Sequence, residues 1–427
     1  MKSLQQAREL VAALPALPAA DTPLQDAVGG ILAEPVRTRL PLPHTDTSAM
    51  DGWALAAPRR QEVGGRLSWQ VRRPGAEHPG TRLPALEAGE AIGVVTGSPV
   101  PAGTVSVLRS EHSRLEPTDT VRHSSPEGER ESTGTLTALP ETPDLQPGRN
   151  IRPAGVEAPA GQELLAAGDT LTPVRTAVAA VAGYDTVRIH PVPRVQILTT
   201  GSEVISAGLP EPGQVRDTFT LSLPGMVADL GGAVTTVTRL DDDVTGLHEE
   251  LTATAAHLVL TTGGTAHSRA DTLRPALQRC GAEILIDSVD MRPGHPVLLA
   301  RLPSGTLVLG LPGNPLAGFA ALTLLGRPLL GALRGVPAPE CAEVFTASAG
   351  EDLEPARRGQ RLLPVRRTGG SIRSAGFSRP HMMRGLAYAE AFAVIPPRGI
   401  QTGEPVTCHP VPGHHLPPHP RRAPWDD

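Results

Sequence analysis

The sequence is poor in aromatic residues and in lysine. Aromatic side chains make up 2% of the 427 residues, so the core must be built mainly from Ala, Val and Leu. Lys2 is the only lysine, and arginine carries nearly all of the positive charge. With a formal net charge of -5 the chain has no basic stripe that displaces counterions from phosphates. This excludes general nucleic-acid binding from the expected functions.

Cysteines and long apolar runs are also scarce. Cys280, Cys341 and Cys408 lie far apart and fit neither a disulfide framework nor a metal-ligand spacing. The N-terminus is interrupted by charge and lacks the apolar core of a signal peptide. No uninterrupted stretch reaches the roughly 20 apolar residues that a membrane span needs. We therefore expect a reduced, cytoplasmic protein without membrane association.

What the sequence does contain is typical of a soluble globular protein of two to four domains. Hydrophobic residues make up 39% and charged residues 19% of the chain, with 45 Gly and 46 Pro for turns. Apolar spacing predicts a first helix with Leu4, Ala7, Leu10 and Val11 on one face.

Two further helices are predicted in the first half of the chain. One has Thr22 as its N-cap and Pro23 at its first position, and runs towards Leu32. The other, TPVRTAVAAVAGY, starts at Thr172 or Pro173. We expect these two to pack with the first helix in a connecting domain made of residues 1–40 and 151–190.

Short apolar runs between Gly/Pro turns predict a β-rich domain inserted at residues 41–150. Similar runs predict a small C-terminal β domain at residues 336–412. Residues 413–427 are too polar and Pro-rich to pack and are expected to form a disordered tail. Four histidines near this end are candidates for binding a stray divalent metal, although a disordered tail is the favoured interpretation: His409, His414, His415 and His419.

The central region, residues 191–335, carries the clearest pattern. In HLVLTTGGTAHSRADTL an apolar run ends in Gly263 and Gly264, and Asp271 opens a helix. The same order of strand, turn and helix recurs in VQILTTGSEV and in TLVLGLPGNP. This predicts an α/β multidomain protein with a central parallel sheet, whose ligand lies beyond the carboxyl ends of the strands. Three loops should therefore converge on one pocket.

The first two of these loops resemble phosphate cradles in outline. Thr200, Gly201 and Ser202 follow one strand, and Gly263 and Gly264 follow another. They offer hydroxyl and backbone N–H groups near helix N-termini, where anions are stabilised. Neither loop matches the P-loop or the dinucleotide fingerprint, so the loops leave the type of ligand open.

Acidic residues accompany the loops. Glu203, Asp242, Asp243 and Asp271 follow strands, and carboxylates beside a phosphate site suit Mg²⁺. The alternative is that Asp242 or Asp243 caps the next helix and that Asp271 caps its own. For Asp51 the alternative interpretation is that Asp51 and Gly52 form a tight turn and that the Asp51 side chain has no further role.

Two Pro-Gly loops complete the candidate site. RPGHP presents Arg292 and His295 as anion-binding groups, with a plain hairpin turn between SVDM and VLLARL as the alternative. In LPGNP two prolines fix the backbone before a helix, which directs N–H groups into the pocket. The residues of this loop are Pro312, Gly313, Asn314 and Pro315.

The ordered motifs resemble the signature series of the molybdopterin molybdenumtransferase (MoeA) family, which includes the gephyrin E domain. They are SAMDGWAL, VVTGSPVPAG, GRNIRPAGVEAPAG, TTGSEV, TTGG with Asp271, RPGHP and LPGNP. The resemblance implies a four-part subunit that dimerises, a central domain similar to MogA, and an active cleft shared between subunits. It also implies adenylylated molybdopterin and molybdate as substrates, AMP release, a need for Mg²⁺, and contact with other enzymes of cofactor biosynthesis.

The resemblance assigns roles by position. Asp51, Glu203, Asp242 and Asp271 match catalytic acids, and Asp242, Asp243 and Asp271 match the acidic set around the metal. Thr96, Arg152 and Glu157 match residues that face the substrate, as do the three loops, Arg292 and His295.

Several positions depart from the family pattern. Arg292 and His295 replace two lysines, and Ala266, Ser268, Ala317, Pro380 and Phe219 replace other usual residues. A second hypothesis is therefore a diverged paralogue that carries molybdopterin without inserting metal, and a third is a related nucleotidyl transfer.

Overall fold

The computed structural model describes residues 1–59, 62–63, 66–72, 84–117, 134–264, 271–336 and 344–413. The chain divides into two compact units, which is coarser than the predicted division into six segments. The larger unit comprises Met1–Glu34, Ala167–Thr176 and Thr186–Asp427, and the smaller unit comprises Pro35–Ala166 and Ala177–Asp185. Expectations for six positions and the tail lie outside the described residues: Ala266, Ser268, Cys341, His414, His415, His419 and residues 414–427.

The first helix forms as predicted. Helix α1 (Leu4–Ala12) follows the short strand β1 (Lys2–Ser3). The Ser3 hydroxyl accepts the Gln6 N–H at 3.1 Å, and the Gln6 side chain accepts the Ser3 N–H at 3.0 Å. This reciprocal cap satisfies two backbone donors that a helix start leaves without partners. The predicted apolar face is buried at three positions: Leu4, Ala7 and Val11.

The prediction of a second helix is wrong. Residues Ala20–Pro23 form strand β2, a single 3-10 turn follows at Leu24–Asp26, and Ile31–Leu32 form strand β3. Both strands pair with Thr186–His190, so hydrogen bonds to a distant segment override the local capping pattern. Gly29 has a φ of +86°, which ends any helical continuation.

The smaller unit is β-rich, and its strands lie among the short apolar runs. The strands are β4 (Val36–Arg37), β5 (Thr47–Ser48), β6 (Gly52–Leu55), β7 (Glu62–Val63), β8 (Arg66–Val71), β9 (Glu90–Val94), β10 (Ser106–Arg109), β11 (Ser113–Pro117), β12 (Gly134–Ala138), β13 (Ile151–Arg152) and β14 (Glu163–Leu165). The main sheet has the order β10-β6-β9-β8-β12-β11, with β7 beside β8, while β13–β5 and β14–β4 form two small pairs.

The central region has the alternating order of strands and helices that the sequence predicts. Helix α2 (Pro173–Val181) starts at one of the two predicted residues, and β15 (Thr186–His190) leads into the central sheet. The following elements are β16 (Arg194–Thr200), β17 (Val204–Ile205), β18 (Val215–Arg216), α3 (Phe219–Asp229), β19 (Ala233–Leu240), α4 (Val244–Ala253), β20 (Leu258–Thr262), α5 (Leu273–Arg279), β21 (Glu283–Ile286), β22 (Val289–Arg292), β23 (Leu298–Arg301), β24 (Leu307–Leu311), α6 (Pro315–Ala321) and α7 (Arg327–Leu333).

The central sheet has the order β19-β16-β20-β24-β23-β21. Its first four strands are parallel, and the last two join in antiparallel fashion. The predicted parallel sheet is therefore present with an antiparallel edge. Because β16, β20 and β24 are adjacent and parallel, their carboxyl ends lie side by side.

The helical run Pro315–Leu333 joins α6 and α7 through a π-helical turn at Leu322–Gly326. By length and composition alone it could cross a membrane, but 94% of its most apolar window is buried inside the protein. It is the core helix of the larger unit, and the buried face of α1 packs in the same core. The expectation that α1 packs with two neighbouring helices of a connecting domain is thus wrong, because one of those helices does not form.

The C-terminal strands extend a sheet that begins elsewhere in the chain. They are β25 (Phe345–Ala349), β26 (Gln360–Thr368), β27 (Ser371–Ser374), β28 (Ala391–Ile395) and β29 (Pro405–Pro410). The sheet order is β1-β22-β26-β27-β25-β29-β28. Since β22 pairs with β1 and β26, while β23 pairs with β21 and β24, RPGHP is not the hairpin turn of the alternative interpretation. His409, grouped above with the tail histidines, is buried on β29.

Candidate functional site

The loops that follow β16, β20 and β24 line one cavity of about 630 Å³ in the larger unit. The structure therefore brings together most of the central residues that the sequence selected. From those loops the lining includes Thr200, Gly201, Glu203, Gly263, Gly264, Pro312, Gly313, Asn314 and Pro315, and Asp242 joins them from the end of β19.

Direct contacts hold the three loops together. The Thr200 hydroxyl donates to the Thr262 carbonyl at 2.7 Å, which joins the first loop to the second. The Gly263 N–H donates to the Leu311 carbonyl at 3.0 Å, which joins the second to the third. A Cβ at Gly313 would lie 3.3 Å from the Gly263 Cα, so these two backbones are already in contact. The floor of the cavity is thus one packed layer of backbone.

The glycine pair is required by this packing. Gly263 and Gly264 have φ values of +83° and +61°, in the left-handed region that other residues rarely adopt. A Cβ would lie 2.9 Å from the Thr200 hydroxyl at Gly263 and 2.9 Å from the Thr272 hydroxyl at Gly264. The Gly263 N–H is taken by Leu311, but those of Gly264, Gly313 and Asn314 donate no backbone hydrogen bond within the described residues. These three N–H groups are candidate donors for an anion in the cavity.

Two carboxylates face the same cavity. Asp242 reaches the first loop, where its Oδ2 accepts the Ser202 N–H at 2.9 Å. Glu203 folds back over Gly201, since a Cβ at Gly201 would lie 3.2 Å from its Oε2. Among the described residues no three His, Cys, Asp or Glu side chains come together as a metal cage. Two carboxylates nevertheless fit Mg²⁺, which binds through one or two of them and completes its shell with water and substrate phosphate.

Asp243 and Asp271 act as helix caps, as the alternative interpretation had it. Asp243 accepts the N–H groups of Thr245 at 3.0 Å and Gly246 at 2.9 Å, and these bonds lower its pKa. Asp271 accepts the Arg274 N–H at 3.3 Å and forms an ion pair with the Arg274 side chain at 3.1 Å. Neither residue is part of the cavity lining, so their predicted role as metal ligands has no support from this geometry.

The RPGHP turn reaches the cavity only at its last residue, Pro296. The Arg292 Nη1 donates to the Met291 carbonyl at 3.0 Å. The His295 Nδ1 lies 2.9 Å from the Val289 carbonyl, to which it donates. Both predicted anion-binding side chains are therefore hydrogen-bonded to neighbouring backbone and lie outside the cavity lining.

Sequence reasoning missed several lining residues. Arg216 contributes from β18, Asp217 and Thr218 contribute from the segment just before α3, and His381 and Met383 contribute from the C-terminal region. The Asp217 Oδ1 accepts the N–H groups of Phe219 at 2.9 Å and Thr220 at 3.0 Å. An acidic residue directly before a helix is a recognisable capping signal and would have identified Asp217. Nothing local indicated His381, which is brought in when the Leu316 N–H binds the Pro380 carbonyl at 3.0 Å.

Four predicted residues belong to the smaller unit. The Asp51 Oδ1 accepts the Thr96 N–H at 2.7 Å and the Thr96 hydroxyl at 3.0 Å, and these bonds lower the pKa of Asp51. Asp51 therefore does more than make a turn, because it holds the Thr96 loop. Arg152 and Glu157 are both exposed, and Arg152 pairs with Thr47 between β13 and β5.

Comparison with known proteins agrees with the order of the motifs. Residues 2–183 match the family described as the MoeA N-terminal region (domain I and II), and residues 196–332 match a probable molybdopterin binding domain. The chain is 30% identical over 413 residues to molybdopterin molybdenumtransferase 2 of Mycobacterium tuberculosis, covering 93% of this chain and 96% of that protein. The chain belongs to the MoeA family. The resemblance drawn from the sequence motifs is confirmed.

Other members of the MoeA family show the same relation. The molybdopterin molybdenumtransferase of Synechococcus elongatus is 32% identical over 323 residues, covering 73% of this chain and 75% of that protein. The crystal structure of the MoeA protein from Pyrococcus horikoshii superposes with a TM-score of 0.72 at 22% identity, covering 96% of this chain and 99% of that one. At this identity the likeness shows the multidomain MoeA fold.

Proposed function

We propose that the protein inserts molybdenum from molybdate into adenylylated molybdopterin and releases AMP, as a transferase of molybdenum cofactor biosynthesis. The observation that supports this best is the single cavity in which three loops present backbone N–H groups beside two carboxylates. A substrate that joins a nucleotide to molybdopterin carries a pyrophosphate. Donors for phosphate oxygens and ligands for a divalent cation are what such a group requires.

Each part of the lining has a separate task in this proposal. The N–H groups of Gly264, Gly313 and Asn314 bind phosphate oxygens at the start of the long helix, where the dipole favours negative charge. Arg216 neutralises a phosphate, which matters most as AMP departs with its own charge. Phe219 and Met383 form an apolar wall that keeps water from one side of the ligand.

Mg²⁺ is part of the proposal and would be held by Glu203 and Asp242. When bound, the cation supplies charge neutralisation to the phosphate oxygens during cleavage. The Ser202 N–H fixes the Oδ2 of Asp242, and Asp242 and Glu203 both line the cavity. For Asp51, Thr96, Arg152 and Glu157 the proposed substrate contacts rest on the family resemblance. A homodimer and a cytoplasmic location are proposed on the same ground.

The decisive assay measures AMP release from adenylylated molybdopterin with Mg²⁺, before and after molybdate is added. We expect release to depend on molybdate, and Asp242→Asn to slow it about 10²-fold because it removes a charge beside the phosphates. Asp241→Asn is the matched control, since Asp241 is the exposed neighbour outside the lining. Equal rates in the two variants would contradict the role of Asp242.

The alternative of a molybdopterin carrier has one observation in its favour. Arg292 and His295, which stand where the family has lysines, are bonded to backbone carbonyls and do not line the cavity. A carrier would bind adenylylated molybdopterin without releasing AMP when molybdate is added. His295→Lys separates the two functions further, because a permanent charge at this turn should raise molybdate dependence only in a transferase.

A further inference from the structure

An arginine outside the candidate active cavity holds the first of its loops. Arg239 lies near the carboxyl end of β19, the edge strand that runs parallel to β16. Its Nη2 donates to the Val204 carbonyl and, at 3.4 Å, to the Gly201 carbonyl. In the sequence these two residues flank Ser202 and Glu203, and Arg239 itself is not part of the cavity lining. One guanidinium therefore joins both ends of the segment 201–204.

The same segment is also held at its middle. The Asp242 Oδ2 accepts the Ser202 N–H at 2.9 Å, and Asp242 comes shortly after Arg239 in the chain. A carbonyl only accepts hydrogen bonds and an N–H only donates them, so contacts of both kinds fix the direction in which the peptide groups of the segment face. The end of β19 therefore determines the orientation of residues 201–204.

The orientation of this segment decides where the Glu203 carboxylate lies. A Cβ at Gly201 would be 2.8 Å from the Val204 Cγ2 and 3.2 Å from the Glu203 Oε2, so both side chains pack over Gly201. The Val204 N–H donates to the Gly201 carbonyl at 3.2 Å, which makes the segment a tight turn. Since Arg239 binds the carbonyls at both ends of that turn, loss of Arg239 would let the turn open and change the position of Glu203 relative to Asp242.

The loop carbonyls are the groups that fix the Arg239 side chain. Arg239 is exposed, and it forms no ion pair within the part of the chain that the structure describes. Its guanidinium is held by the two backbone acceptors of the loop. Arginine suits this arrangement because its planar fork offers several donors in fixed directions.

We propose that Arg239 is a positioning residue for the divalent cation, because it holds residues 201–204 so that Glu203 and Asp242 face the cavity together. This inference rests on the proposed function, in which these two carboxylates hold Mg²⁺. Ligands that are already in place bind without the entropic cost of ordering a loop. Loss of Arg239 therefore raises the Mg²⁺ concentration that the protein needs and leaves the maximal rate at saturating Mg²⁺ nearly unchanged.

The test is a Mg²⁺ titration of the full chain in the presence of ADP, followed by calorimetry, together with AMP release at increasing Mg²⁺. Arg239→Gln should raise the Mg²⁺ concentration for half-maximal ADP binding about tenfold, because it removes charged donors from the loop. AMP release at saturating Mg²⁺ should stay within about twofold of the wild type, since the cation ligands themselves remain. Arg239→Lys should recover part of the loss, because lysine keeps the charge but not the planar fork. A merely destabilised fold would instead lower the maximal signal and leave the Mg²⁺ midpoint in place.

Arg194→Gln is the matched control. Arg194 starts β16 at the opposite end of the same sheet, is exposed, and donates from its Nη2 to the Ala255 carbonyl at 2.9 Å. This variant loses the same kind of bond and should keep the wild-type Mg²⁺ midpoint. An unchanged midpoint in Arg239→Gln, or an equal shift in Arg194→Gln, would overturn the positioning role. If the wild type binds ADP with Mg²⁺ but releases no AMP, the proposed function fails, and the calorimetric midpoints alone decide the role of Arg239.

Discussion

The substitution Gly263→Ala tests whether the floor of the candidate active cavity is as tightly packed as its contacts indicate. Gly263 has a φ of +83°, and an added Cβ would lie 2.9 Å from the Thr200 hydroxyl. That hydroxyl donates to the Thr262 carbonyl at 2.7 Å, so it cannot move without weakening the bond between two loops. The methyl group therefore strains the backbone and disturbs a loop contact at once.

The two effects have separate magnitudes. A left-handed backbone costs a residue other than glycine about 1–2 kcal/mol. Weakening the hydrogen bond between Thr200 and Thr262 costs about 1 kcal/mol more. We therefore expect the free energy of unfolding to fall by about 2–3 kcal/mol. We also expect AMP release to fall at least about tenfold, because the Gly264 N–H and the Gly313 backbone move with the second loop.

Gly305→Ala is the matched control. Gly305 has a φ of +90°, but no atom lies within 4 Å of the Cβ that the substitution adds. It should lose only the strain component, about 1–2 kcal/mol, and keep full activity. Urea unfolding and the AMP-release assay measure both variants. If Gly263→Ala is as stable and as active as Gly305→Ala, the loops do not depend on the close contact with Thr200.

Three other predictions concern the Ser3 cap of α1, the buried carboxylate of Asp144 and the proposed Mg²⁺. Ser3→Ala should lower the free energy of unfolding by about 1 kcal/mol, measured by urea unfolding, because it removes the cap of α1. Burial alone would raise the pKa of Asp144, but hydrogen bonds, chiefly from Arg109, outweigh it and lower the pKa to about 2. Because the pKa of Asp144 is lower in the folded state than in the unfolded state, its carboxylate stabilises the fold at pH values above the unfolded-state pKa. This stabilisation is lost as pH falls, so the free energy of unfolding of the wild type should fall by about 2 kcal/mol between about pH 4 and pH 2. Asp144→Asn should lack that loss in acid unfolding curves and be less stable at pH 7. Removal of Mg²⁺ with EDTA should weaken ADP binding at least about tenfold in the wild type but little in Asp242→Asn, as calorimetry would show.

The central sheet could be predicted because its signals are local. Apolar runs followed by paired glycines or a Pro-Gly-Asn-Pro loop specify strand, turn and helix over a few residues each. Parallel strands in sequence then place Thr200, Gly263 and Gly313 at one edge of the sheet, with no further information needed. The shared lining of these residues follows from periodicity and topology alone.

The errors arose where distant segments decide the structure. Thr22 and Pro23 fit a helix start, yet β2 pairs with β15, which lies more than 160 residues further along the chain. RPGHP has the composition of a hairpin turn, but β22 leaves the central sheet to join β1 and β26. The stability of such strand pairing depends on residues that are far away in the sequence, so a short stretch of sequence does not reveal it. The same holds for His381, which reaches the cavity through backbone contacts at Leu316.

The negative charge of the candidate cavity should couple the binding of its two proposed ligands, the nucleotide part of the substrate and the divalent cation. The described lining residues include three acids, Glu203, Asp217 and Asp242, and one permanent cation, Arg216. The Asp217 carboxylate is stabilised by the first N–H groups of α3. Arg216 offsets one of the charges of Glu203 and Asp242, so an excess of negative charge faces a pyrophosphate. At an effective dielectric constant of about 20, two like charges about 4 Å apart repel by about 4 kcal/mol. A divalent cation between them reverses the sign of that interaction. Nucleotide and cation should therefore each raise the affinity of the other, and by the same factor, because the coupling free energy is shared.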